Sequence, residues 1–155
     1  MEKQKFVYVT YIESTPEKVW DALSDPETTR QYWGHKNASD WKVGSKWEHQ
    51  DYYDDMAVDI AGEVVERTPP HRLVVTWAAP ADVDNKAKHS RVTYEIQPYM
   101  GVVRLTVTHD ELEPDSDMLR GITRGWPAVL CSLKTLLETG KPMSMTRRWA
   151  EGATS

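Results

Sequence analysis

The chain has one cysteine, Cys131, and one phenylalanine, Phe6. A single cysteine excludes an intramolecular disulfide. It lies between apolar helix positions and reads as a small packed thiol, with no neighbouring base to make it a nucleophile. No apolar run approaches the ~18 residues that a membrane-spanning helix needs, so no membrane partner is expected. The opening stretch MEKQKFVYVTYIES lacks the apolar core of a secretory signal, which makes cytoplasm the expected location. No Lys/Arg cluster exceeds the pair Arg147–Arg148, and the net charge is -5. Nucleic acid is therefore not an expected partner. Glycine-rich phosphate loops, the Gly-x-Ser-x-Gly elbow and zinc-ligand spacings are all missing, and no cofactor is expected.

What the chain has in excess is tryptophan, with seven residues in 155. Broad indoles with one polar edge suit both a core and the wall of a cavity. With 39% hydrophobic residues the length supports one domain with a full core. Residues 1–142 read as that domain. Residues 143–155 read as a loose polar tail, apart from Trp149.

Alternation predicts a first strand in KQKFVYVTYIES. STPEKVWDALSD then predicts a helix, with Ser14 and Glu17 as a capping box and Pro16 in the first turn. DPETTRQYW predicts a second short helix, and a polar link runs from Gly34 to Asp40. Six strands follow from WKVGSKWEHQD to VVRLTVTHDEL, with His49 and Asp51 sharing a face. Asp59, Glu63, Glu95 and Arg104 fall opposite the apolar positions and read as the solvated side of the sheet.

The last element carries Leu119, Ile122, Trp126, Val129, Leu130, Leu133, Leu136 and Leu137 at helical spacing. Gly125 and Pro127 interrupt that stripe. Proline inside a helix costs roughly 3 kcal/mol. A kink or break is therefore expected near residues 123–127, leaving residues 117–125 free to act as a lid. The class is α+β: a curved antiparallel sheet of six to seven strands around one long C-terminal helix, with two short helices after the first strand. Such a curved sheet leaves a cavity under its helix.

STPEKVWDALSDPETTRQYW, DWKVGSKWE, GEVVERTPPHRLVVTW, VTHDEL and above all GWPAVLCSLKTLLETG carry a resemblance over about residues 5–142. The chain resembles the START/SRPBCC superfamily. It is similar in particular to the bacterial branch named after the C-terminal domain of the activator of the heat-shock-protein-ninety ATPase. The resemblance implies the helix-grip fold and a hydrophobic pocket for a lipid-like, aromatic or polyketide-like ligand. It carries over no catalytic residue.

Trp47, His49, Trp77, Tyr94, His109, Met118, Ile122 and Trp126 are the candidate ligand-binding residues. The expected function is a carrier or sensor of a small apolar ligand. An enzyme of the cyclase, dehydratase or hydrolase kind, using His109 with Tyr94 or a carboxylate as acid/base, is the alternative. An interaction module, as a homodimer or a chaperone partner, is a third reading that rests on the family name. His49, Asp51 and His109 are residue types that ligate metals, and His49 and Asp51 share a face through the spacing His-x-Asp, but that spacing is common by chance on strands and no metal is expected.

Overall fold

The computed structural model describes residues 2–146. Its elements are β1 (Gln4–Ile12), α1 (Pro16–Ser24), α2 (Pro26–Trp33), β2 (His35–Ala38), β3 (Lys46–Asp51), β4 (Ala57–Thr68), β5 (Arg72–Trp77), β6 (Ser90–Tyr99), β7 (Val102–Leu112) and α3 (Asp117–Thr139). The seven strands form one antiparallel sheet in the order β1-β7-β6-β5-β4-β3-β2. Along β7, Val103, Leu105, Val107 and His109 are buried while their alternate neighbours are not. That one-sided burial is the period-2 pattern of the sequence. The buried side faces α3, which brings Ile122, Trp126, Val129, Leu130, Leu133 and Leu136 into the core. This is the helix-grip arrangement.

Caps set the helix starts. Thr15, one residue later than the expected Ser14, caps α1 by accepting from Lys18 N. Asp25 caps α2 through Thr28 N, and Ser116 caps α3 through Leu119 N. Gly34 and Gly140 end α2 and α3 in the left-handed conformation, where glycine carries no Cβ penalty.

Two local expectations change. The supposed link at 34–40 contains strand β2. Its Asn37 is buried and donates from Nδ2 to the carbonyl of Leu23, which satisfies a polar side chain that would otherwise favour a loop. Second, α3 runs from Asp117 to Thr139 as one helix with Pro127 inside it, so the expected break at 123–127 is absent. Proline removes only the N–H owed to the Thr123 carbonyl, and Thr123 is exposed. Burial of Trp126, Val129 and Leu130 on either side of Pro127 outweighs the lost bond. The first residues after α3, 143–146, pack on that helix. Thr146 is buried, and Ser132 Oγ in α3 donates to its hydroxyl at 3.3 Å and accepts from Met143 N at 3.3 Å. Trp149 and the pair Arg147–Arg148 lie outside the described residues.

Candidate functional site

Curvature of the sheet leaves a cavity of about 990 Å³ at one end of the grip. Ile60 of β4, Trp77 of β5, Leu112 of β7, and Met118 and Ile122 of α3 form its apolar wall. Asp59, Asp82, Glu111, Glu113 and Asp117 bring carboxylates to it, against Lys88 as the cation among the lining residues. Lys88 is drawn toward Asp82 at 3.7 Å, and Asp117 holds Arg120 at 2.6 Å. The volume lies within the usual range for small-molecule sites.

Behind that wall the aromatic residues pack on one another. Trp77 lies at the centre. Its ring is 5.4 Å from Trp47, 5.4 Å from Trp126, 5.4 Å from His109 and 5.8 Å from His49. Trp33 of α2 extends the cluster at 5.5 Å from Trp126 of α3. Trp20 instead lies under Arg67 of β4, its ring centre 5.6 Å from the guanidinium. Among the described residues, Trp77 Nε1 is buried with no hydrogen-bond partner. An unmade bond of that kind is costly, and such groups collect at functional positions.

The polar groups in the cluster are held in single states. Trp126 Nε1 donates to His109 Nδ1 at 3.0 Å. Indole is a donor only, so the imidazole proton sits on Nε2 and is given to Ser90 Oγ at 2.7 Å. Ser90 in turn donates to the carbonyl of Trp77 at 3.0 Å. Burial pushes His109 down to about 3, with Asp110 pulling the other way. His49 donates from Nδ1 to Asn37 Oδ1 at 2.6 Å and is likewise held well below the ordinary histidine range by burial, then by the nearby His35. Burial raises the Tyr94 phenol above its ordinary value.

The structure therefore divides the eight predicted residues. Trp77, Met118 and Ile122 line the cavity. Trp47 and Tyr94 border a smaller internal void with Trp41 and Val75. His49, His109 and Trp126 are buried and line neither. The grouping of His49, Asp51 and His109 is not formed. Instead His35, which the sequence did not single out, meets Asp51 and Asp59. Asp59 is exposed, as expected, and also reaches His35. Between His49 and Gln50 the β4 partner steps from Ile60 to Val58, so Asp59 is the extra residue of a bulge, and it hydrogen-bonds His35. Ala79, Asp82, Lys88, Ser90, Ser116 and Gly121 also line the cavity, and no sequence pattern marks them as ligand-binding.

Residues 13–138 match the family described as Activator of Hsp90 ATPase homolog 1-like protein. The chain belongs to that family. No curated protein matches it. Among solved structures, protein MLL2253 from Mesorhizobium loti is 26% identical, covers 86% of this chain and 96% of its own, and superposes with a TM-score of 0.72. PFC0360w from Plasmodium falciparum, described as an Hsp90 activator, is 26% identical over 86% of this chain and 95% of its own, with a TM-score of 0.69. The Aha1 dimer from Colwellia psychrerythraea is 18% identical over 89% and 98%, with a TM-score of 0.74, a likeness of fold. Among the described residues, no helix of this member of the family is long and apolar enough to cross a membrane.

Proposed function

We propose that this domain binds a small apolar or aromatic molecule under the N-terminal half of α3, as a carrier or sensor. The observation that carries the reading is the cavity of about 990 Å³, whose apolar wall includes an indole with an unpaired N–H. A ligand with a flat apolar body buries area against Ile60, Trp77, Met118 and Ile122. The carboxylates around the mouth favour neutral or cationic molecules over fatty acids. The acid–base alternative is weaker. His109 has both ring nitrogens engaged, is neutral at ordinary pH and does not line the cavity, and Tyr94 holds its proton tightly.

The test is a fluorescence titration with the neutral probe N-phenyl-1-naphthylamine. Saturable binding at one probe per chain, with quenching of tryptophan emission, is expected. Gly121 lines the cavity, and a Cβ added to it would meet nothing within 4 Å. Gly121→Phe should therefore fill the cavity without disturbing the core and weaken probe binding at least tenfold. Absence of saturable binding, or equal binding in Gly121→Phe, would overturn the proposal.

A further inference from the structure

His35, Asp51 and Asp59 come from three neighbouring strands, β2, β3 and β4. One ligand-type atom from each lies within 4.8 Å of the other two. His35 and Asp51 are direct cross-strand partners. His35 Nε2 stands 2.8 Å from an Asp59 oxygen and 3.9 Å from an Asp51 oxygen. The other ring nitrogen, Nδ1, is 2.9 Å from the carbonyl of Trp33. A carbonyl only accepts, so Nδ1 carries a proton and Nε2 is the nitrogen presented to the two carboxylates.

That is the outer-shell arrangement that orients a metal-binding histidine: one ring nitrogen donated to a backbone carbonyl, the other aimed at the ion. The ring is fixed further by parallel stacking on buried His49, with centroids 4.0 Å apart and planes within 1°. Two carboxylates converge on this imidazole nitrogen. A proton on Nε2 serves Asp59 alone, at 2.8 Å, and leaves Asp51 beyond hydrogen-bond reach at 3.9 Å. A metal ion bound at ~2.0–2.2 Å serves all three, since its tetrahedral ligands stand roughly 3.3–3.6 Å apart. The two measured separations bracket that span.

Asp59 belongs to the trio only because of the β4 bulge. Regular alternation with Val58 and Ile60 would have left it on the opposite face. Bulges recur where a side chain must be re-aimed toward a site.

We infer that His35, Asp51 and Asp59 bind one divalent transition-metal ion, of the zinc type, at the rim of the cavity. One imidazole and two carboxylates suit a borderline ion better than Ca²⁺ or Mg²⁺, which favour oxygen-only shells. Three protein ligands leave a fourth position open to water or to an oxygen of a bound molecule. Asp59 and Ile60 both line the cavity, so that position lies beside its mouth. The inference does not depend on the cavity holding an organic ligand.

The test is calorimetric titration of the metal-free full chain with Zn²⁺ at pH 7, together with Co²⁺ absorption as a report on coordination. One ion per chain is expected, in the micromolar range or tighter, with the visible bands of a nitrogen- and oxygen-bound Co²⁺. His35→Gln and Asp59→Asn should each weaken Zn²⁺ binding at least tenfold and abolish the Co²⁺ bands. Glu17→Gln, an exposed carboxylate of α1 outside both the trio and the cavity lining, should change neither. Far-ultraviolet dichroism checks that the variants remain folded, and Asp51→Asn replaces any variant that does not. No saturable binding below about millimolar Zn²⁺, or binding equal in His35→Gln and Asp59→Asn, would overturn the inference.

Discussion

Trp126, at the middle of α3, donates its indole N–H to Nδ1 of His109, on the innermost face of β7, at 3.0 Å. That bond ties the helix to the sheet through two side chains that are both buried. It also fixes the imidazole tautomer, and with it the bonds to Ser90 and to the Trp77 carbonyl. In Trp126→Phe the donor is lost and Nδ1 stays buried and unpaired. An unsatisfied buried group costs about 1–3 kcal/mol, and the missing ring volume adds to it. Urea unfolding should report a loss of about 2–4 kcal/mol. The double variant with His109→Leu should lose less than the sum of the two single variants, because it leaves no orphaned nitrogen. Strict additivity would show that the bond contributes nothing.

Stability should fall as the solution is acidified through the range in which free histidine titrates. His109 is held at about 3 by burial, against about 6.5 in an unfolded chain. Between these values the unfolded state binds the extra proton and the native state does not, so acid favours unfolding. The stability is fully present above pH ~6.5 and declines toward pH 3. One such group gives a slope of about 1.4 kcal/mol per pH unit, or about 2 kcal/mol between pH 6.5 and 5. Asp110, the charged neighbour, reduces the effect without reversing it. Urea midpoints at pH 7 and pH 5 for the natural chain and His109→Gln would measure the difference. An equal decline in both would assign the acid sensitivity to other groups.

Two glycines should respond in opposite directions. A Cβ at Gly62 would lie 2.0 Å from the Thr76 carbonyl oxygen, which also accepts from Trp47 Nε1. Neither atom can retreat without breaking the contact between β4 and β5. Gly62→Ala should lower stability by about 2–3 kcal/mol. At Gly125, within α3, an added Cβ meets nothing within 4 Å and no unusual dihedral is required. Gly125→Ala should raise stability by about 0.5–1 kcal/mol, the difference in helix propensity. If thermal melting shows Gly125→Ala to be destabilising, the glycine has a role in the helix beyond its backbone freedom.

Much of the architecture was legible because it rests on local chemistry. Alternation over Val103 to His109 reads as a strand facing a core, and the spacing from Ile122 to Leu136 reads as a helix facing it. Caps at Asp25 and Ser116 mark where α2 and α3 begin. Legibility failed where a distant partner overrides local preference. His-Lys-Asn-Ala is too polar to read as a strand, yet it becomes β2 because Asn37 finds the carbonyl of Leu23, fourteen positions away. Pro127 reads as a helix breaker. The helix continues through it because flanking side chains are buried by a sheet that the proline's own neighbourhood does not encode.

The amino-acid sequence by itself determined the element order, the fold class and the supply of indoles from which a cavity wall could be built. Periodicity carries that information, since period 2 and period 3.6 follow from backbone geometry alone. Only the tertiary structure decided which of those aromatics face open space. Trp77 reaches the cavity, whereas Trp126 spends its N–H on His109. Only the tertiary structure joined His35 to Asp59, 24 positions apart. Asp59 stays exposed, but one extra residue in β4 brings it within hydrogen-bond reach of the histidine. A bulge is fixed by the pairing of two strands, and no local pattern in either strand records it.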